Sequence, residues 1–112
     1  MKKIVIVSQT NIGMKSSTFG FDGSINPFKK SLSKQLKENL NEYFKNNNIE
    51  YITEVENYET LENIIKNGAY KILISPYLKG AIDLSNLDKN TYYILNEDEF
   101  LHSKIDNILT FL

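Results

Sequence analysis

The chain has 112 residues, enough for one domain of the usual ~100–150 residues and too few for two cores, so residues 1–112 are read as a single α/β domain. Its 13 basic and 14 acidic side chains nearly cancel, which leaves no field to draw it to nucleic acid or an anionic membrane. Every basic side chain is Lys, so the planar fork that grips phosphate or guanine is missing. The absence of Cys excludes disulfides, thiolate metal sites and a thiol nucleophile.

At the N-terminus, Met1-Lys2-Lys3 precedes only Ile4-Val5-Ile6-Val7. That run is shorter than the ~7–15 apolar residues of a signal-peptide core or the ~20 of a membrane span, so a cytoplasmic protein without direct membrane insertion is expected. Being continuous, β-branched and short, it reads as a strand buried on both faces of a parallel sheet. Residues 8–26 carry Gly13, Gly20 and Gly23 among Ser and Thr with no helical period, and read as one long loop.

A long helix is expected from Pro27, with Asn26 as its cap. Phe28, Leu32, Leu36, Leu40, Tyr43 and Phe44 form its apolar stripe, and Asn46-Asn47-Asn48 supplies residues that tolerate a left-handed end. Residues 51–55 read as a second strand, placed at an edge because Glu50 and Glu54 interrupt it. A second helix follows, capped by Asn57, with Tyr58, Leu61, Ile64 and Ile65 as its stripe and Gly68 at its end. Residues 71–75 form a third, central strand stopped by Pro76, with a second loop over residues 75–80. Residues 81–87 carry a weak helical pattern, Tyr92-Tyr93-Ile94-Leu95 a fourth strand, and Asn96-Glu97-Asp98-Glu99 the capped start of one final helix carrying Leu101, Ile105, Ile108, Leu109 and Leu112.

Such alternation predicts a four-stranded parallel sheet in the order 2-1-3-4 with helices on both faces, a three-layer sandwich. Ligands of such sheets bind beyond the C-terminal ends of the strands where the order reverses, here strands one and three, so the two loops should meet there. The first loop is either an anion cradle or a plain polar connection. As a cradle, Gly13 lets the backbone approach an anion, Thr10, Ser16, Ser17 and Thr18 add hydroxyls, and Lys15 adds a point charge.

The run Thr10-Asn11-Ile12-Gly13-Met14-Lys15-Ser16-Ser17 resembles the C-x-x-G-M-[SA]-T-S loop of the IIB proteins of the lactose/chitobiose (cellobiose) phosphotransferase system. Ile72-Leu73-Ile74-Ser75-Pro76-Tyr77 is similar to that family's apolar strand ending in G-P-Q. The resemblance implies a IIB-like sheet, an anion-binding loop at Thr10, Asn11, Gly13, Met14, Lys15, Ser16 and Ser17, and a IIA-like or IIC-like protein partner. It implies neither a cofactor nor a metal. In the family the loop Cys carries a phosphoryl group; here that position is Thr10. A Thr hydroxyl needs an adjacent base to become a nucleophile, and its phosphate ester is too inert to relay. Thr10 is therefore not expected to transfer phosphate. Residues 18–26 have no counterpart in the family loop. Phe19 and Phe21 within them either contact a ligand or partner, together with Ser75, Pro76 and Tyr77, or pack on a neighbouring helix. The remaining alternatives are a small flavodoxin-like cofactor binder and a pure protein-interaction module.

Overall fold

The computed structural model describes residues 1–11, 18–20, 31–56, 59–78, 82, 84–85 and 87–112. In chain order the elements are β1 (Lys2–Val7), β2 (Gln9–Asn11), β3 (Thr18–Gly20), α1 (Leu32–Asn46), β4 (Tyr51–Val55), α2 (Leu61–Lys66), β5 (Ala69–Ile74), β6 (Tyr92–Ile94), α3 (Glu97–His102) and α4 (Asp106–Phe111). A single 3₁₀ turn, Pro76–Leu78, follows β5.

Four strands form one parallel sheet in the order β4-β1-β5-β6, the 2-1-3-4 arrangement of its own strands that the alternation predicts. The period-2 alternation of a strand sends neighbouring residues to opposite layers. Ile4, Ile6 and Leu73 therefore join Leu32, Leu36, Leu40 and Phe44 of α1, Phe100 of α3 and Ile108 of α4 on one face. Val5, Val7, Ile72 and Ile74 join Leu61 and Ile64 of α2 on the other. β1 and β5 sit at the centre with helices above and below, which is why their buried halves, residues 4–7 and 72–74, are unbroken apolar runs.

Several boundaries differ from the sequence expectation. Asn26, Pro27 and Phe28 lie outside the described residues, but Ser31 is extended (φ −60°, ψ 158°) and is the N-cap of α1, so no continuous helix runs from Pro27. Serine favours this non-helical cap geometry over a helix interior. Asn57 and Tyr58 also lie outside the described residues; the cap of α2 is Thr60, whose side chain accepts the Asn63 backbone N–H at 3.2 Å. The expected helix over residues 81–87 falls partly outside, and its described residues show one turn, closed by the Leu87 N–H on the Leu84 carbonyl at 3.1 Å.

The final helix is two helices. Ser103 takes a left-handed conformation (φ 54°), and its carbonyl accepts a 2.7 Å hydrogen bond from Asn39 Nδ2 of α1. An apolar stripe continues across the break, so periodicity alone could not reveal it. Elsewhere the ends of the helices obey cap chemistry. Asn48 (φ 54°) follows α1, with Asn48 N–H bonded to Lys45 O and Ile49 N–H to Phe44 O, a Schellman closure with Asn in the left-handed position. Gly68 (φ 96°) occupies the same place after α2.

Candidate functional site

The chain leaves β1 through α1 toward β4, then returns through α2 to β5 on the other side of β1. The reversal therefore lies between β1 and β5, the point where such sheets open a crevice. The residue after each of these strands is a serine, Ser8 and Ser75, and both are fully buried. Ser75 continues the ladder, its N–H donating to the Val7 carbonyl at 2.9 Å. It then organises the turn that follows: its Oγ accepts the Tyr77 N–H at 3.2 Å and its carbonyl accepts the Leu78 N–H at 3.1 Å. The physical cause is Pro76, which cannot continue the ladder and leaves the serine to satisfy the turn's backbone.

The expected long loop after β1 is in part an antiparallel hairpin. β2 pairs with β3, placing Thr10 opposite Phe19 and Asn11 opposite Thr18. Thr and Phe are strand-prone, and that signal was outweighed in the sequence by the surrounding glycines. β3 lies against the Pro76–Leu78 turn, so the two segments expected to meet at this end of the sheet do so. The structure thus brings the backbone at Thr10, Asn11 and Phe19 to the same end as Ser75, Pro76 and Tyr77. Gly13, Met14, Lys15, Ser16, Ser17 and Phe21 lie outside the described residues.

Because the sheet is parallel and the crossovers alternate with its strands, the N-terminus of α1 opens at this same end. Its cap residue Ser31 makes no side-chain cap hydrogen bond, no acidic residue occupies its first turn, and buried Ser33 stands 3.4 Å from it, Oγ to Oγ. The first turn of α1 thus adds no carboxylate of its own against the positive partial charge of the helix's first N–H groups. Tyr77, expected as a ligand or partner contact, is half-buried and packs edge-on to Phe100 with centroids 5.9 Å apart.

Near the C-terminal end of β6, the run read from the sequence as a helix cap has a second role. Glu99 is buried, and its carboxylate accepts the Tyr93 hydroxyl (3.0 Å to each oxygen) and the Asn96 N–H (2.9 Å). Asn96 Oδ1 in turn accepts the Glu99 N–H at 2.7 Å, completing a capping box. Burial first, and the neighbouring carboxylate second, push the Tyr93 phenol up to about 12. The S/T/D/N-x-x-E spacing was visible as a cap; the hydrogen bond from Tyr93, six residues away, required the strand-to-helix corner. His102 is exposed in the last turn of α3, 3.9 Å from Asp98, and Asp98 is held below the usual carboxylate range by its hydrogen bond with Lys104.

The described part of this end thus holds the buried serines Ser8, Ser33 and Ser75 beside the first N–H groups of α1, and the chain has no thiol. Among the described residues no group of His, Asp and Glu is placed to hold a metal ion, and no helix is long and apolar enough to cross a membrane. The fold is a three-layer α/β domain in which buried Ser8 and Ser75 lie at the switch point of a parallel sheet. Compared with protein-family models, curated proteins and solved structures, the chain matches none of them.

Proposed function

We propose that this chain is a IIB-like domain that binds an anion, or a protein partner presenting one, at the C-terminal end of β1 and β5, without passing on a phosphoryl group. The observation that carries the reading is the convergence at one end of the sheet of buried Ser8 and Ser75 with the α1 N-terminus, whose first turn carries no carboxylate. Such a place favours negative charge through backbone N–H groups alone. The absence of a thiol supports binding over transfer, because a phosphoryl relay needs a nucleophile that is readily ionised and readily dephosphorylated.

Titration with inorganic phosphate, followed by amide chemical shifts, tests the binding. Saturable shifts concentrated at Ser8, Ser33 and Ser75 are expected, and shifts spread evenly over surface lysines would remove the proposed site. Incubation with the general phosphotransferase components and a IIA donor, read by mass spectrometry, tests the second half. An unmodified chain is expected, and a phosphoryl group on Thr10 would refute the non-transferring reading.

A further inference from the structure

β4 is an edge strand, and its backbone alternates in the direction it faces. The Lys2 N–H donates to the Glu50 carbonyl at 3.1 Å and the Glu56 N–H to the Ile6 carbonyl at 3.0 Å, so the even-numbered residues face β1. The backbone groups of Tyr51, Thr53 and Val55 therefore point away from the sheet, the arrangement that recruits another strand. At the central residue of the three, a side chain takes both positions. Asn41 of α1 accepts the Thr53 N–H through Oδ1 at 2.7 Å and donates Nδ2 to the Thr53 carbonyl at 3.1 Å. An amide presents one acceptor and one donor side by side, as a neighbouring strand does, and only one of its two orientations pairs both.

We propose that Asn41 is an edge guard: it holds shut a strand-docking edge whose occupant, once the guard is removed, is a second copy of this chain. The edge is self-complementary about Thr53. In an antiparallel pair centred there, Tyr51 lies opposite Val55 of the second copy, Thr53 opposite Thr53, and Ile52 opposite Glu54, so all the outward backbone groups find partners. Apolar surface is available to be covered, since Ile52 is 38% and Met1 84% exposed beside this edge. The same pairing sets Glu50 opposite Glu56, a like-charge contact that opposes association and is weakened by salt.

Two variants test the guard. Asn41→Ala removes both hydrogen bonds. Asn41→Asp keeps an acceptor for the Thr53 N–H, loses the donor, and adds a negative charge to an edge that already carries Glu50 and Glu54. In dilute Asn41→Ala the Thr53 amide should exchange with solvent about tenfold faster than in the parent protein, while Ile52 and Glu54, bonded to β1, keep their protection. Over an about hundredfold concentration series its mass by sedimentation should rise, more steeply at high salt, with the Thr53 amide regaining protection in the associated form. Asn41→Asp should keep the parent's mass throughout. A Thr53 amide indifferent to Asn41→Ala would overturn the proposal, as would an Asn41→Ala mass that stays with the parent's at every concentration and salt. Association of Asn41→Asp to the same extent as Asn41→Ala would also overturn it, because general destabilisation would then be the cause.

Discussion

Among the described residues, Thr53 is the one whose buried side-chain polar atom goes unpaired. Its backbone is satisfied by Asn41, yet its hydroxyl is buried with no hydrogen-bond partner among the described residues. A buried hydroxyl without a partner costs roughly 1–3 kcal/mol, and valine offers the same branched shape without it. Thr53→Val is therefore expected to stabilise the protein by about 1 kcal/mol, seen as a higher denaturant midpoint at an unchanged slope. Tyr93 is the opposite case, a phenol whose proton is held by a buried carboxylate. Tyr93→Phe removes a donor to Glu99 and should cost about 1.5–3 kcal/mol at neutral pH. The phenol's value rises from 10.0 unfolded to about 12 folded, so folding favours the protonated form. The advantage of Tyr93 over Phe should then be fully present below pH 10.0 and shrink as pH rises through about 12, measurable by chemical denaturation of both proteins across that window.

Helix ends decide where the elements of this chain stop, and two of them use one position in different ways. Gly68 after α2 is left-handed at φ 96° with nothing near the site of a missing Cβ, so glycine is there for its backbone freedom and not for space. Asn48 after α1 takes φ 54° with a side chain attached. Asparagine tolerates that region better than most residues, but glycine enters it without the Cβ penalty. Asn48→Gly is thus expected to raise stability by about 0.5 kcal/mol, while Gly68→Ala should lower it by about 1 kcal/mol, both by thermal or denaturant unfolding. These ends were legible in the sequence because an Asn run or a Gly follows the last apolar position of each stripe. The break between α3 and α4 was not, since Ser103 carries no such mark and its left-handed turn is fastened from outside by Asn39. The hairpin of β2 and β3 was missed for a related reason: three-residue strands give too few alternations to stand out among glycines.

At the scale of the whole molecule, the order of the sheet was legible because its two central strands are covered on both sides over residues 4–7 and 72–74 and keep no polar position there, whereas β4 betrays its edge through exposed Glu54. The candidate site was legible only as a location. Ser8 and Ser75 are unremarkable as letters, and it is the parallel register of Val7 with Ile74 that sets the two side by side. The same register makes the sheet a shared wall between two cores, and this predicts how the protein unfolds. Ile72 and Leu73 are adjacent in β5 and fully buried, yet they belong to opposite layers, one with α2 and the other with α1, α3 and α4. If the layers were independent, Ile72→Ala would loosen only the α2 side and Leu73→Ala only the other, and separate probes would report separate transitions. Because both layers are built on the backbone of β1 and β5, either truncation withdraws support from the sheet that both require. Each should cost about 2–5 kcal/mol, the usual range for opening such a cavity. Far-UV circular dichroism and tyrosine fluorescence should follow one coincident transition in both variants, and a second transition confined to one variant would show that the layers unfold separately.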